Sequence, residues 1–227
     1  WRRAGLSPAP GITCGLAAGR TPGPNIGFNR RISNAHTQRA TAGLIVCEAT
    51  MVIERNSAFG GAEPGVYNAA QVAGWRSVTD AVHANGGRIV LQLWHGGRAC
   101  HSLLNGGTQP VAPSPVAIGN DEIHTPEGKK PYETPRELQD DELPGIVAGF
   151  RRAAENALAA GFDGVQVHAA NSYLINQFLS GTLNTRDDAW GGALENRMRL
   201  LLQVVDATAE VFSHARVGVR LSPMGSA

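Results

Sequence analysis

The sequence predicts an α/β fold built around a parallel sheet, and three observations support this prediction. Four short apolar runs have the composition of strands buried on both faces. Longer segments with helical periodicity separate these runs, and glycines close several of the segments. An order of strand, helix and strand with short junctions indicates right-handed βαβ units, which form parallel sheets.

The elements follow one another regularly from about Ser33. Trp75 and Val82 belong to the apolar stripe of a helix that Asn85 and the two following glycines terminate. Pro144 suits the first turn of a later helix, and Gly161 closes it. The predicted strands are residues 44–47, 88–93, 164–168 and 217–221, and the predicted helices are residues 34–40, 68–85, 142–160 and 194–212.

Two architectures fit this order, an open doubly wound sheet and a (β/α)8 TIM barrel. No glycine-rich phosphate fingerprint follows the early strands, which disfavours the open dinucleotide-binding sheet. Polar residues instead occur near the carboxyl ends of the strands, where barrel enzymes carry their chemistry; these residues are Glu48, Gln92, His168 and Arg220. The barrel is therefore favoured, but four clear strands, or five if the N-terminal segment supplies one, leave it incomplete.

The chain divides into two regions of different composition. Residues 1–32 are irregular and rich in Gly, Pro and Arg, and they fit either a flexible leader or an altered terminus. Residues 33–227 form the predicted partial barrel. Within it, residues 96–140 are rich in Pro, Gly, Ser and Asn, and irregular segments of that length are usually functional.

The composition excludes several classes of protein. Lys and Arg number 20 against 19 Asp and Glu, so no basic surface for nucleic acid or an anionic membrane is expected. No apolar run approaches the ~20 residues that a membrane span requires. Cys14, Cys47 and Cys100 lack disulfide or metal-ligand spacing. We therefore expect a cytoplasmic protein that is either an enzyme or a small-molecule binder and that has no metal site, while its oligomeric state stays open.

The strongest chemical signal lies just beyond the third strand. His168, Asn171 and Tyr173 can project from one rim into one pocket, and three hydrogen-bonding groups so close together favour a site over an isolated structural histidine. Arg220 at the end of an apolar strand requires an anionic partner from the protein or a ligand. The polar segment 184–197 is interpreted as structural, with Arg186, Asp187, Glu195 and Arg197 bracing its loop.

Taken together, these segments resemble the Old Yellow Enzyme family of FMN-dependent reductases over residues 38–223. The motifs that carry the resemblance, in order, are residues 38–50, 64–67, 92–94, 110–114, 168–173 and 184–197. The resemblance implies a (β/α)8 barrel that holds FMN at its C-terminal rim and takes hydride from NADPH or NADH. It also implies reduction of the C=C bond of an α,β-unsaturated carbonyl compound, an enone or enal.

Each site residue receives a role from this resemblance. Gln92 is expected at the flavin pyrimidine edge, Arg220 near flavin N1 and C2=O, and the Ala49 backbone close to the ring.

The substrate side of the site follows from the same motifs. His168 and Asn171 are expected to donate hydrogen bonds to the substrate carbonyl oxygen, and Tyr173 to protonate the α-carbon. Trp94 is expected to form the pocket wall above the flavin.

Two alternatives remain beside this interpretation. Barrels of this kind usually bind phosphate after strands seven and eight, so the sequence is expected to lack the FMN phosphate site, and a non-catalytic barrel fragment is the first alternative. A metal-dependent barrel hydrolase using His95 and His168 is the second, and it is disfavoured because neither histidine has a second ligand at suitable spacing.

Overall fold

The computed structural model describes residues 12–13, 35–60 and 63–223. Its strands are β1 (Ile12–Thr13), β2 (Ile45–Met51), β3 (Ile89–Trp94), β4 (Val111–Ala112), β5 (Glu122–Thr125), β6 (Gly128–Pro131), β7 (Arg136–Glu137), β8 (Gly164–Ala169) and β9 (Val217–Leu221). Its helices are α1 (Ala69–Ala84), α2 (Leu143–Ala159), α3 (Leu174–Leu179) and α4 (Leu194–Phe212), with 3-10 turns at Gly97–Ala99, Ser102–Leu104 and His214–Arg216.

The centre of the fold is a parallel five-stranded sheet in the order β1, β2, β3, β8, β9. Strand order follows chain order, so the sheet has no switch point of the kind that opens a cleft in doubly wound folds. The four predicted strands are confirmed, and Ile12–Thr13 supplies the fifth by pairing with β2. The remaining residues of 1–32 lie outside the described part of the chain.

Apolar side chains of the sheet pack against the helices in one hydrophobic core. Leu91 and Leu93 of β3 and Val165 and Val167 of β8 belong to this core, together with residues of α1, α2 and α4. Strand side chains alternate between two faces, so the intervening residues of β3 and β8 point away from the helices. A sequential parallel sheet with helices packed on this face has the arrangement of a barrel wall.

Three of the four predicted helices are confirmed, whereas the predicted helix at 34–40 is only a helical turn at residues 35–37 in the described part of the chain. Two further features were not indicated by the periodicity. The short helix α3 follows β8 directly, and the irregular segment 96–140 contains small sheets, β4 paired with β7 and β5 paired with β6. No helix in the described part of the chain is long and apolar enough to cross a membrane.

Segment 184–197 braces the rim, although with a different set of residues from the one predicted. The Arg186 guanidinium forms ion pairs with Asp140 and Asp188 and donates a hydrogen bond to the Leu138 carbonyl oxygen at 2.6 Å. Arg197 Nε donates to the Leu179 carbonyl oxygen at 3.0 Å.

The aspartate that braces this loop is therefore Asp188, and the prediction for its neighbour Asp187 was wrong. Neither Asp187 nor Glu195 forms an ion pair with any residue in the described ranges. Asp188 is suited to the role because it also accepts a hydrogen bond from the Trp190 backbone N–H at 2.8 Å, which closes the turn around the guanidinium.

Because β8 and β9 approach each other closely, alanine should destabilise the protein at one glycine of this strand pair and not at another. A Cβ on Gly164 would lie 2.4 Å from the Arg216 carbonyl oxygen, whereas one on Gly218 would have its nearest neighbours at 3.9 Å. We expect Gly164→Ala to reduce the free energy of unfolding by roughly 1–3 kcal/mol and Gly218→Ala to change it by less than about 0.5 kcal/mol. Chemical denaturation of both variants measures this, and equal stabilities would contradict the strand spacing.

Candidate active site

The parallel registers place five residues on one face of the sheet, the face away from the helices. Ala49 of β2 pairs with Gln92 of β3, Gln92 pairs with Gln166 of β8, and His168 pairs with Arg220 of β9. Residues in register on neighbouring strands share a face, and so do residues two apart on one strand. The sequence-predicted residues Ala49, Gln92, His168 and Arg220 are therefore brought together as one row.

Gln166 is a further member of this row, and it was not among the residues predicted from the sequence. Gln92 is buried, and its Nε2 donates a hydrogen bond to Gln166 Oε1 at 2.6 Å. The sequence of β8 does indicate this role, because Gln166 is a polar residue in an otherwise apolar stretch and lies two residues before His168, on the same face of the strand. The hydrogen bond between Gln92 and Gln166 uses one N–H of the Gln92 amide. The second N–H and the carbonyl oxygen of that amide remain available on the same face.

His168 is held as a neutral hydrogen-bond donor. The side chain is buried, and burial, together with the positive charge of Arg220, lowers the pKa of His168 to about 4. The Ala170 backbone N–H donates to Nδ1 at 3.3 Å. Because the neutral ring carries one proton and Nδ1 accepts, the proton resides on Nε2, which can donate to a ligand.

Arg220 provides the positive charge of the site. It is half-buried, and within the described ranges its guanidinium has no carboxylate within 4.0 Å and no hydrogen bond. A half-buried guanidinium without a protein anion is suited to an anionic or electron-rich ligand edge. The anionic partner expected for Arg220 is therefore not found among the described residues, and its guanidinium is available to a ligand there.

Tyr173 and Trp94 form an aromatic corner beside His168. The Tyr173 ring lies edge-on to both, with centroid distances of 5.0 Å to His168 and 5.1 Å to Trp94. Trp94 is fully buried, stacks on Phe59, and has an Nε1 without a hydrogen-bond partner among the described residues. Trp94 and Tyr173 thus lie together beside the histidine.

The Tyr173 phenol is protonated at neutral pH. Burial raises its pKa, and so do the nearby groups of Tyr132, Cys100 and Glu63, while Arg220 acts in the opposite direction. A phenol whose pKa lies above its ordinary value of ~10 carries its proton and can act as an acid. Tyr132, Cys100 and Glu63 come from segments far apart in the chain, so the sequence had no pattern that could associate them with Tyr173.

A strained turn holds Asn171 and Tyr173 at the rim. Asn171 and Ser172 both adopt left-handed backbone conformations with φ of 56°. Such conformations are costly for residues other than glycine and are concentrated at functional sites. The turn lets the Tyr173 backbone N–H return to the Ala170 carbonyl oxygen at 3.2 Å and start helix α3.

Asn171 is exposed at the mouth of the site. Its backbone N–H donates to Ser222 Oγ at 3.0 Å, which joins the rim after β8 to the end of β9. Its side-chain amide has no hydrogen bond to the described residues and is available to a ligand.

His95 does not belong to this site. Asn56 Nδ2 lies 3.1 Å from its Nδ1, the Gly97 backbone N–H also donates to Nδ1, and burial lowers the pKa of His95 to about 3. In the described part of the chain, neither His95 nor His168 is part of a group of three metal-ligating side chains. The geometry therefore gives no support to the metal-dependent hydrolase.

Comparison with known proteins identifies the family. The model of the NADH:flavin oxidoreductase / NADH oxidase family matches residues 25–227. A putative 12-oxophytodienoate reductase-like protein 2A from Arabidopsis thaliana is 40% identical over 213 residues, covering 93% of this chain and 75% of that protein. A probable flavin mononucleotide-dependent alkene reductase from Leishmania infantum is 44% identical over 196 residues, covering 84% of this chain and 53% of that protein.

Solved structures agree with these relatives. Morphinone reductase in complex with tetrahydroNAD superposes with a TM-score of 0.83 and 49% identity over 86% of this chain and 55% of that one. An old yellow enzyme homologue from Zymomonas mobilis gives a TM-score of 0.87 and 42% identity over 95% of this chain and 59% of that one. The chain thus spans little more than half the length of these enzymes, which confirms the prediction of an incomplete (β/α)8 barrel.

The predicted resemblance to Old Yellow Enzyme and the predicted cofactors, FMN with a nicotinamide donor, are confirmed at the level of the family. The match extends over most of the chain, including every strand that contributes to the row of site residues. The chain belongs to the NADH:flavin oxidoreductase / NADH oxidase family.

Proposed function

We propose that this chain forms the flavin-facing half of an FMN-dependent NAD(P)H reductase that reduces the C=C bond of α,β-unsaturated carbonyl compounds. One observation carries the proposal: a neutral, buried His168 lies in register with Arg220, a cation without a protein partner in the described ranges. The pair offers a hydrogen-bond donor and a fixed positive charge on one face. Those are the two features required by a carbonyl oxygen and an electron-rich cofactor edge.

The residues on this face fit the flavin ring. Gln92 offers its amide to the donor and acceptor groups of the pyrimidine edge, and Arg220 offers its charge to flavin N1 and C2=O. Ala49, with only a methyl group, lets the strand backbone approach the ring next to Gln92. Bound FMN would supply hydride taken from NADPH or NADH.

The substrate would bind against the rim after β8. His168 Nε2 and the Asn171 amide would donate to the carbonyl oxygen, where negative charge develops as the β-carbon accepts hydride. Tyr173 would deliver a proton to the α-carbon, and Trp94 would limit the space over the reacting bond. The phenol and the neutral imidazole are already in the protonation states that these roles require.

The FMN phosphate would bind to a part of the fold that these 227 residues do not include. This chain covers 55% of the morphinone reductase chain and 59% of the Zymomonas mobilis chain, so both have residues without a counterpart here, and barrels usually bind phosphate after strands seven and eight. The enone or enal, the small-molecule partner and the cytoplasmic location are proposed together with this activity.

A first test concerns the carbonyl-binding donors. In a version of the protein that carries the whole barrel and is loaded with FMN, His168→Ala and Asn171→Gly should each weaken the binding of a phenol that mimics the enolate by roughly 2–4 kcal/mol, because each removes a donor to the charged oxygen. Glycine is chosen at residue 171 because it adopts a φ of 56° without strain. Spectral titration of the flavin with the phenol measures the affinity.

The matched control for this test is His214→Ala, at the opposite end of β9 and exposed. It should leave phenol affinity unchanged. Unchanged affinity in both site variants would remove His168 and Asn171 from the carbonyl site.

A second test concerns the proton donor. Tyr173→Phe should slow reoxidation of the reduced flavin by the alkene by ~10²–10⁴-fold, because only this half-reaction places a proton on carbon. Reduction of the flavin by NAD(P)H should be nearly unchanged. Stopped-flow measurement of the two half-reactions separates these outcomes.

Tyr132→Phe is the matched control, since it removes a neighbouring hydroxyl but keeps the proposed acid. It should retain most of the reoxidation rate. Equal slowing of both half-reactions in Tyr173→Phe would show that this tyrosine is not the acid.

A further inference from the structure

Three side chains of different chemistry converge next to β2, and the proposed function uses none of them. A ring nitrogen of His36, the Sγ of Cys47 and a carboxylate oxygen of Glu48 all lie within 4.8 Å of one another. His36 Nε2 and Glu48 Oε2 are 3.5 Å apart. His36 belongs to a helical turn at residues 35–37, so the convergence joins this turn to the strand.

A β-bulge brings Cys47 and Glu48 to the same place. Val46 pairs with Val90 and Ala49 pairs with Gln92, so Cys47 and Glu48 together lie opposite the single residue Leu91. In a regular strand, two successive side chains point to opposite faces, whereas a bulge changes the direction of one of them. The bulge therefore explains how consecutive residues place a thiol and a carboxylate within ligand distance of one imidazole.

The surroundings favour a bound cation. The side chains of His36 and Cys47 are buried, and that of Glu48 is only 17% exposed. Glu48 Oε2 is buried and accepts no hydrogen bond from a residue in the described ranges. A buried carboxylate oxygen is costly unless a cation or a donor compensates it.

We propose that His36, Cys47 and Glu48 bind a divalent transition metal of the zinc class. Zinc binds thiolate at ~2.3 Å and imidazole or carboxylate at ~2.0–2.2 Å, so ligand atoms on one zinc lie roughly 3.3–3.8 Å apart. His36 Nε2 and Glu48 Oε2 already lie within that range at 3.5 Å, and a separation of 4.8 Å would have to shorten by about 1.0–1.5 Å to reach it. A nitrogen, sulfur and oxygen set suits zinc better than magnesium or calcium, which prefer oxygen alone.

The proposal differs from the sequence expectation that the protein has no metal site. The proposed ligands come from a helical turn and a bulge, and the sequence pattern reveals neither. They therefore do not show the Cys–Cys or His–His spacing by which a metal site can be predicted from a sequence. The metal would join residues 35–37 to the strand that carries Ala49. Its coordination would leave a fourth position for water or another donor.

Cobalt(II) replaces zinc in such sites and reports thiolate ligation by an absorption band in the near ultraviolet. The purified protein, stripped of metal with a chelator, is titrated with cobalt(II). Difference spectra against the zinc-loaded protein cancel the flavin absorption. We expect one cobalt(II) per chain, a thiolate-to-cobalt band, and loss of that band on adding one equivalent of zinc, which binds this type of site more tightly.

Three variants identify the ligands. Cys47→Ser should abolish the band, and His36→Ala should weaken cobalt(II) binding by ~100-fold or more, since even loss of a residue that supports a ligand costs 10–100-fold. Cys100→Ser is the matched control, because Cys100 is also buried but lies in a separate cluster with Trp94. It should keep the band.

The unaltered protein is sufficient to test the proposal even if a variant fails to fold. Absence of a thiolate band from the unaltered protein would overturn it. A band that persists in Cys47→Ser, or one that disappears only in Cys100→Ser, would overturn it as well.

Discussion

Parallel pairing of β8 with β9 is the constraint on which the rest of the site depends. This pairing places His168 in register with Arg220 on the face of the sheet that the helices leave uncovered. The pairings of β3 with β8 and β2 with β3 extend the row to Gln166, Gln92 and Ala49. Apolar residues at alternate positions pack against the helices, so the packing that stabilises the wall also orients the polar row. A slip of one residue in any of these strands would reverse the two faces.

A single cation organises the electrostatics of this row. The charge of Arg220 disfavours a second positive charge on His168 and so keeps the imidazole neutral, in the same direction as burial. At Tyr173 the same charge lowers the pKa, but burial and the neighbouring groups of Tyr132, Cys100 and Glu63 outweigh it, and the phenol keeps its proton. The histidine can therefore donate a hydrogen bond and the tyrosine can donate a proton over the same pH range.

The lowered pKa of His168 also affects the stability of the fold. Between about pH 6.5 and 4, the unfolded chain binds a proton at residue 168 that the folded chain excludes. The folded state therefore becomes less stable as the pH falls through that window.

Much of this arrangement could be predicted from the sequence, because strands and helices have distinct periodicities and parallel strands present their carboxyl ends together. The row formed by Gln92, His168 and Arg220 follows from this rule alone.

Tyr132 and Glu63 could not be associated with Tyr173, since they come from irregular segments whose path depends on tertiary packing. The bulge in β2 was hidden for a similar reason: one extra residue in a strand leaves the apolar pattern intact while it redirects Glu48, which the sequence analysis had placed at the strand end. Segment 184–197 shows the intermediate case, where the bracing arginines were predictable but the choice of Asp188 over Asp187 depended on the direction of a turn.

The reduction potential of the bound flavin tests the role of Arg220 most directly. If its guanidinium faces flavin N1 and C2=O, Arg220→Met should make the potential of FMN in the loaded protein more negative, because the anionic reduced flavin loses its positive neighbour. Arg216→Met removes the same charge at the opposite end of the same strand region, where the side chain is exposed, and should leave the potential unchanged. Equal shifts in the two variants, or no shift in Arg220→Met, would contradict the placement of the flavin at the carboxyl ends of these strands.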